Sequence, residues 1–253
     1  MAKTLEWNYQ NKNTDITQMK SLRPLELTKC MLCNDTGWIL NKEKNSYSQC
    51  ECSKSQIIID QLAATGIGAN AIKKSFKDFN PWNPKIKEMK DTATNYYLSF
   101  ERVKDKSNNS IALLGDSGVG KTHLLIALIN NFVTKKNIKV VYMSYIDAIT
   151  ELKQNVVIGE VYQHKIRKYK NAEILVIDDL FKNGYTESDL RIMSEIINHR
   201  YINNLPIMFS SEYLVKALLN IDKAIGGRIK EMSQNYLYEI TGVENNYRMK
   251  VRD

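Results

Sequence analysis

A glycine-rich run near the middle of the chain has the residue types needed to hold phosphate groups. Residues 115–122 read GDSGVGKT and fit the pattern G-x-x-x-x-G-K-T without a mismatch. In such a loop the backbone N–H groups curl around phosphates, and the following helix adds the positive end of its dipole. Lys121 is expected to reach the β- and γ-phosphates, and the Thr122 hydroxyl to bind Mg²⁺. The predicted ATP-binding residues are Gly115, Asp116, Ser117, Gly118, Val119, Gly120, Lys121, Thr122 and His123.

Two adjacent aspartates follow a buried-type apolar run further along the chain. Asp178 and Asp179 stand near the end of ILVIDDL, residues 174–180. We expect Asp178 to hold Mg²⁺ through water and Asp179 to polarise the water that attacks ATP. Many ATPases carry glutamate at the second position, and aspartate is one methylene shorter. The sequence therefore predicts slow, magnesium-dependent and partner-sensitive hydrolysis, with capping of the loop after the strand as the alternative role for Asp179.

A third polar group follows the next apolar run. LPIMFSSEY, residues 205–213, ends in small hydroxyl side chains and an acid. A polar side chain at this strand end can touch the γ-phosphate and the attacking water, so Ser210, Ser211 and Glu212 are candidates. Ordinary capping of a strand end explains the same residues.

Four cysteines near the amino end have the spacing of a metal site. Cys30 and Cys33 form a C-x-x-C pair, and after sixteen residues Cys50 and Cys52 form a C-x-C pair. Each pair can hold one side of a tetrahedral ion if the residues between the pairs form a hairpin. Four thiolates favour zinc over harder cations, and four protein ligands leave no open position for catalysis. An iron–sulfur cluster and unliganded thiols are the alternatives.

Alternating helices and strands are predicted to position these groups. The predicted helices are 88–103, 121–136, 145–154 and 187–204, and the predicted strands are 110–115, 138–143, 173–178, 205–210 and 236–241. Thr186 and Asp189 have the spacing of a capping box at the start of the last helix. Five short strands separated by helices predict an α/β fold, with a parallel sheet covered on both faces. Ahead of it, Phe76, Phe79 and Trp82 indicate an ordered connector, since these rings need a surface to pack on.

The composition is that of a globular chain with a basic excess. Of its 253 residues 43% are hydrophobic and 25% are charged, the net charge is +8 and the pI is about 9.1. This excess favours an anionic partner, most often nucleic acid, with general solubility as the alternative. The apolar runs are too short for a signal peptide or a membrane span, so we expect a cytoplasmic protein without a membrane partner.

The order of the motifs resembles a known family. The cysteine segment carries C-x-x-C-x-D-T-G-W, a connector carries GI and SFKDF, and the P-loop segment continues with IDDL, IINHRY and LPIMFSSE. This order is similar to that of the DnaC/DnaI-type replicative-helicase loaders, which are AAA+ ATPases of the IstB/DnaC-like family. The resemblance runs from about residue 30 to the end and is strongest to bacteriophage-borne members.

The resemblance implies a division of labour along the chain. It implies that a zinc-binding module, residues 1–65, binds a hexameric replicative helicase, and that a connector, 66–84, leads to the ATPase domain, 85–253. It further implies that the ATPase domain assembles on itself and engages single-stranded DNA. Arg228, in AIGGRIKEM, matches the family's finger arginine, which reaches the γ-phosphate bound by a neighbouring subunit. Pairing on a surface helix is the alternative for this arginine.

The sequence departs from the family in two places, at Glu212 and at Met232, and it shares with these loaders the expected lack of a full lid. Glu212 stands where the family often has asparagine, and an acid there repels phosphate unless it is turned away or paired, so we expect Ser211 to sense the γ-phosphate. Met232 stands where a second arginine often follows the finger. The residues after Glu212 are too few for a fifth strand plus a helical lid, so we expect a domain lacking a full lid.

Possible DNA contacts are the basic run HKIRKYK, residues 164–170, with Tyr169 available for base stacking, together with Lys153 and Arg200. A solvated helix face is the alternative for the run, and Arg200 can instead hold the sheet edge or a neighbouring subunit.

The sequence therefore predicts an ATP-dependent loader that binds a replicative helicase and delivers it onto single-stranded DNA during replication initiation. An IstB-like transposition helper ATPase shares the P-loop and acid pair, although the cysteine module argues against it. Another alternative is an ATP-binding adaptor that inhibits a host helicase or loader. A zinc-dependent DNA-binding regulator is the fourth interpretation, and the complete ATP motifs argue against it.

Overall fold

The computed structural model describes residues 30–34, 36–41, 46–68 and 73–249, and contacts within the chain divide it after Ser55 into two compact units. Residues 1–29 of the predicted zinc-binding module lie outside the described residues. The boundaries drawn from the sequence, at 65 and 84, stay a prediction.

The first unit is built around a small hairpin. Strands β1 (Trp38–Asn41) and β2 (Ser46–Gln49) pair antiparallel, with Trp38 opposite Gln49. A tight turn comes before the hairpin, where the Asn34 N–H donates to the Cys30 carbonyl at 2.8 Å. Helix α1 (Glu51–Ala64) follows the hairpin and runs past the division into the second unit. The hairpin predicted between the two cysteine pairs is confirmed.

The second unit contains a five-stranded parallel sheet. Its strands are β3 (Ile111–Gly115), β4 (Val140–Ser144), β5 (Ile174–Asp178), β6 (Ile207–Ser211) and β7 (Leu237–Ile240). Their spatial order is β4-β5-β6-β3-β7, and every neighbouring pair is parallel. The predicted α/β class and the five predicted strands are confirmed, with strand ends shifted by at most two residues.

Among the described residues from Pro84 onward, one α-helix precedes these strands and six connect them. These helices are α2 (Pro84–Val103), α3 (Lys121–Lys136), α4 (Tyr145–Gln154), α5 (Gly159–Asn171), α6 (Glu187–Ile202), α7 (Val215–Ile221) and α8 (Lys223–Met232). The capping box predicted at the start of α6 is present, with Thr186 and Asp189 each bonded to the other's backbone N–H. Helix α2 begins four residues before the predicted start, because Asn83 caps it and Pro84 is compatible with a first turn.

Both faces of the sheet are buried. Leu113 and Val176 belong to a core that includes α2, α3 and the connector, whereas Leu114 and Ile177 belong to a core formed with helices α4, α5, α6 and α8. Because successive strand residues alternate between two buried faces, the strands read as continuous apolar runs.

The connector packs on the second unit as its aromatic residues predict. Phe79 is buried in the core, and Phe76 and Trp82 are partly buried against it. Nearer α1, the Thr65 carbonyl accepts the Tyr142 N–H at 2.8 Å, on the outer strand β4.

After β7 the described residues form two short 3-10 helices, Val243–Asn245 and Tyr247–Met249, and contain no helical lid. Within the described ranges, no helix has the length and apolar character needed to cross a membrane.

Candidate nucleotide and metal sites

The P-loop joins the end of β3 to the start of α3, and its glycines are needed for close approach. Gly115 has φ 128°, and a Cβ there would lie 1.7 Å from the Ile240 carbonyl oxygen. Gly120 has φ 99°, and a Cβ there would lie 2.5 Å from the Phe79 ring. At both positions the backbone φ is positive and a neighbouring group lies where a Cβ would be, so only glycine fits. A loop without side chains there leaves its N–H groups free to approach phosphates at the start of α3.

Lys121 lies across its own loop. Its Nζ donates to the Gly115 carbonyl at 2.6 Å and to the Asp116 carbonyl at 2.8 Å, and the residue is buried. Burial lowers the pKa of Lys121, and the negative charge of Asp179 opposes that shift. A buried ammonium group is stabilised more by an anion than by backbone carbonyls, so phosphate oxygens are expected to replace the two carbonyls as partners of Lys121.

Asp178 collects three hydroxyl groups from three neighbouring elements. Its carboxylate accepts from Thr122 Oγ1 at 3.1 Å, from the Tyr142 hydroxyl at 2.7 Å and from Ser210 Oγ. Burial is the main cause that raises the pKa of Tyr142, with the charge of Asp178 next, so the phenol stays protonated and donates. The acid is thereby fixed at the carboxyl edge of the sheet, beside the hydroxyl predicted to share Mg²⁺ with it.

Asp179 is held in an unusual conformation beside a lysine. Its φ is 58°, its N–H donates to Ser210 Oγ at 2.8 Å, and its Oδ2 accepts from Lys182 Nζ at 2.7 Å. The bond to Asp179 is the main cause that raises the pKa of Lys182. Lys182 also lies 3.8 Å from Glu212 Oε1. Glu212 is thus paired, which is the condition under which an acid is tolerated beside phosphate.

The structure corrects the choice between the two serines. Ser211 is fully buried, donates to the Leu180 carbonyl at 2.7 Å and accepts the Tyr213 N–H at 3.1 Å. Neither bond joins it to Asp178, to the Asp179 side chain or to the P-loop, so Ser211 is not placed to sense a γ-phosphate in this arrangement. Ser210 contacts both acids instead, because side chains alternate along β6 and only one of two adjacent serines faces Asp178.

Lys121, Thr122 and Asp179 border one cavity of about 460 Å³, the size of a nucleotide pocket. Asp178 and Ser210 do not line it, but they are bonded to Thr122 and to the Asp179 N–H, respectively. The walls of the cavity come from the P-loop and from the acid side, represented by Asp179, Lys182 and Glu212. A third wall comes from the connector and the residues after β7, including Trp82 and Arg248. His123 lines the cavity too, although its Nε2 lies 2.9 Å from the Ser75 carbonyl.

Among the residues of this site, sequence reasoning missed Tyr142, Lys182, Trp82, Tyr247 and Arg248. Tyr142 and Lys182 had only weak signals, a polar ring at the end of a strand and a lysine three residues after an acid. Trp82 was expected only to pack. Arg248 lies beyond every motif, and the fold alone brings it to the P-loop.

Arg228 lies on α8, away from this cavity. Its guanidinium lies over the Tyr201 ring, 5.5 Å from the centroid, and its buried Nε has no hydrogen-bond partner among the described residues. Its role as a finger toward a neighbouring subunit stays a prediction.

Two of the candidate DNA contacts are wrong. Arg200 is fully buried. Its guanidinium donates to four backbone carbonyls at 2.8–3.1 Å, those of Tyr169, Lys170, Ala172 and Pro206. It holds the end of α5 to the start of β6 and is closed to DNA. Tyr169 is 8% exposed and packs in the core, so its ring cannot stack on a base. Lys153 pairs with Asp189 at 2.9 Å, and the basic run lies on α5.

The four cysteine sulfurs of the first unit lie together. Cys30 and Cys50 Sγ are 3.7 Å apart, Cys33 and Cys52 Sγ are 3.3 Å apart, and all four lie within 4.8 Å of one another. With Zn–S bonds of about 2.3 Å, a tetrahedral site separates its sulfurs by about 3.8 Å. The Leu32 N–H is the main cause that lowers the pKa of Cys30 to about 7, whereas the hydrogen bond with Cys33 is the main cause that raises the pKa of Cys52, so the match to a metal site rests on the sulfur distances. The cluster therefore fits a metal bound by four thiolates.

The fold and site define an ATP-binding P-loop domain of the AAA+ class. Residues 71–216, more than half of the chain, match the family described as IstB-like ATP binding protein. The chain belongs to this family, as its motif order indicated.

Two relatives come from Bacillus subtilis (strain 168). The chain is 35% identical over 232 residues to the phage-like element PBSX protein XkdC, covering 87% of this chain and 86% of XkdC. It is 38% identical over 207 residues to uncharacterized protein YqaM, covering 79% of this chain and 65% of YqaM. The match thus spans less than two thirds of YqaM. The likeness to phage-borne members is confirmed by XkdC.

Solved structures share the fold at low identity. A structure of the DnaC helicase loader aligns with TM-score 0.55 at 22% identity, covering 68% of this chain and 99% of that one. Replication initiator DnaA bound to AMPPCP and single-stranded DNA aligns with TM-score 0.57 at 21% identity, covering 70% and 52%. At these identities the likeness concerns the fold alone.

Proposed function

We propose that this protein is an ATP-dependent loader that binds a replicative DNA helicase and delivers it onto single-stranded DNA during replication initiation. The observation that carries the proposal is the joined site in which Thr122 contacts Asp178, in a fold shared with a DnaC helicase loader and preceded by a four-cysteine cluster. The likeness to DnaA bound to single-stranded DNA supports the DNA partner.

ATP binding follows from the P-loop. The N–H groups at the start of α3 and the Lys121 ammonium bind the phosphates, with Lys121 exchanging its two backbone carbonyls for phosphate oxygens. Thr122 and Asp178 would hold Mg²⁺, and their oxygens lie 3.1 Å apart. Bound there, the ion neutralises charge that develops on the β- and γ-phosphate oxygens.

Hydrolysis is assigned to Asp179. Its carboxylate accepts a proton from the water whose oxygen bonds to the γ-phosphorus, while the bond from that phosphorus to the β–γ bridging oxygen breaks and leaves ADP. Ser210 sets the positions of both acids, since its Oγ donates to Asp178 and accepts from the Asp179 N–H. The Asp179 carboxylate is engaged by Lys182 at 2.7 Å and must give up that contact to accept a proton from water, which gives slow hydrolysis a physical cause.

Partner binding is assigned to three surfaces. Cys30, Cys33, Cys50 and Cys52 would bind one structural zinc, and the exposed Met31, at 93%, lies within the cluster and offers apolar surface to a helicase. Arg228 would complete the ATP site of a neighbouring subunit and so couple ATP binding to self-association. The net charge of +8 favours a nucleic acid as partner, and the likeness to DnaA bound to single-stranded DNA supports a single strand.

A second candidate is a transposition helper ATPase, and the family's description as IstB-like favours it. Co-purification with a transposase rather than with a helicase would support that activity and contradict the loader.

The loader is tested by following helicase transfer onto single-stranded circular DNA, with the wild type, Lys121→Ala, Asp179→Ala and the exposed control Lys216→Ala. We expect Lys121→Ala to lose ATP binding and loading, Asp179→Ala to bind ATP but not hydrolyse it, and Lys216→Ala to behave as wild type. Unchanged loading by Lys121→Ala would refute the ATP-dependent scheme. Hydrolysis at the wild-type rate by Asp179→Ala would remove Asp179 from the mechanism.

A further inference from the structure

The residues after β7 form a wall of the nucleotide pocket. We infer that residues 242–249, which we name the carboxyl-terminal strap, contact the bound nucleotide directly. In this inference Tyr247 packs on the base and Arg248 binds the phosphates. It rests on the proposed ATP site but adds a ligand-binding element outside the P-loop and the acid pair.

The strap is bonded to the P-loop itself. The Gly242 N–H donates to Asp116 Oδ2 at 2.8 Å, and the Tyr247 N–H donates to the Gly118 carbonyl at 3.0 Å. Asn246 packs so closely on the loop that a Cβ at Gly118 would lie 2.1 Å from Asn246 Oδ1. Gly118 therefore serves the strap as well as the phosphates, and the two elements hold each other in position.

The strap is also bonded to the start of α2. Asn245 is fully buried, its Oδ1 accepts from Asn83 Nδ2 at 2.8 Å, and its Nδ2 donates to the Thr241 carbonyl at 2.8 Å. Asn83 in turn caps α2 by accepting the Ile86 N–H at 2.9 Å. A segment held at both ends by buried or backbone hydrogen bonds presents its remaining side chains in defined positions.

Tyr247 builds an aromatic wall with the connector. Its ring centroid lies 5.2 Å from that of Trp82 at an angle of 51°, and Trp82 lies 6.3 Å from Phe79. All three side chains line the same cavity as the P-loop, and Tyr247 is exposed. An exposed aromatic ring beside a phosphate site is suited to a purine base, which stacks on aromatic rings.

Arg248 adds a cation at the same edge. Its backbone N–H donates to Asn246 Oδ1 at 2.9 Å, which fixes the turn that carries it, and its exposed side chain lines the cavity with Lys121 and Lys182. A guanidinium binds phosphate oxygens through paired, charge-assisted hydrogen bonds. The strap thus holds an exposed arginine in a defined position at the cavity, which is the arrangement that a phosphate contact requires.

The test separates base from phosphate. Calorimetry measures the affinity for magnesium-ATP, and competition measures the affinity for inorganic tripolyphosphate, in the full chain and in Tyr247→Ala, Arg248→Ala and Arg191→Ala. Arg191 is the matched control, because its side chain is 83% exposed and lies outside the cavity. We expect Tyr247→Ala to weaken ATP about fivefold and leave tripolyphosphate unchanged. Arg248→Ala should weaken both ligands about tenfold.

The outcomes keep the two proposals apart. If the wild type binds neither ligand, the proposed ATP site is wrong and the strap falls with it. If the wild type binds ATP and both strap variants bind it equally well, only the strap inference is overturned. Equal weakening of ATP and tripolyphosphate by Tyr247→Ala would overturn the base contact. Unchanged melting temperatures of both variants, expected for exposed side chains, show that any loss of affinity is local.

Discussion

The two units of the chain are stabilised in different ways. Among the described residues of the first unit only Cys33 and Cys50 are buried, while Leu32 and Tyr47 are 75% and 70% exposed. The second unit buries two apolar cores, one on each face of its sheet. Since the described residues of the first unit contain almost no apolar core, we expect their fold to depend on the sulfur cluster, whereas the second unit depends on the hydrophobic effect. We therefore expect a bound metal ion to stabilise the first unit and to leave the stability of the second unchanged.

Metal removal should produce the largest difference between the two units. We expect one zinc per chain, and expect a chelator or Cys50→Ser to unfold the first unit completely, because no core remains to hold it. The second unit should keep its cooperative melting transition and its ATP affinity. Elemental analysis, and proteolysis mapped by mass spectrometry, follow the two units separately.

Lys121→Ala is the matched control for metal removal, since it should lose ATP and retain zinc. A fully folded first unit in metal-free protein would contradict the assignment, and so would an equal loss of stability in both units.

Loss of Arg200 should affect only the second unit. Its guanidinium is fully buried and donates to four backbone carbonyls, so Arg200→Met removes a buried donor from each of them. Among the described residues, only the Pro206 carbonyl of these four keeps another partner, the Leu175 N–H. We expect the free energy of unfolding of this unit to fall by about 3 kcal/mol, with no change in zinc content. Chemical denaturation followed by circular dichroism measures the change.

The exposed Arg191→Met serves as the control and should change stability by less than about 0.5 kcal/mol. If Arg200→Met is as stable as wild type but binds DNA more weakly, the assignment of Arg200 to the core is wrong and a DNA contact is supported.

The sequence predicted those parts of the fold that depend on local pattern. The sheet was predictable because each strand is a short apolar run, and the capping box because Thr186 and Asp189 are three residues apart. Helix α7 was missed, and helices α5 and α8 were foreseen only as alternatives, without bounds: α5 buries only Ile166 and Tyr169, α7 has seven residues, and α8 contains two glycines. Such helices are set by tertiary packing rather than by a periodic apolar face.

The candidate site was predictable where one motif supplies the residue. The P-loop, Asp178 and the cysteine cluster come from compact motifs. The choice between Ser210 and Ser211 depends on which face of β6 each occupies, and spacing alone could not fix it. Arg248 reaches the pocket through contacts between residues more than a hundred positions apart, as in the bond from Gly242 to Asp116. Long-range juxtaposition of this kind has no local signature.

The smallest effect expected concerns a charge balance within the second unit. Lys182 lies 2.7 Å from Asp179 and 3.8 Å from Glu212, at the phosphate side of the pocket. Lys182→Ala leaves two uncompensated acids there, so we expect ATP affinity to fall about fivefold. Glu212→Gln should improve it slightly, and the double variant should recover most of the loss. The coupling between the two residues, measured by calorimetry in a double-mutant cycle, should be about 1 kcal/mol.

The exposed Lys216→Ala, combined with Glu212→Gln, provides the reference cycle and should show no coupling. Additive effects of Lys182→Ala and Glu212→Gln would mean that Lys182 does not compensate Glu212. The repulsion between Glu212 and phosphate would then have to be relieved in another way, such as rotation of Glu212 out of the pocket when ATP binds. Since the cycle lies wholly within the second unit, the zinc content of all variants should equal that of wild type. The comparison between the two units assumes that they are stabilised independently. A change in zinc content in any of these variants would contradict that assumption.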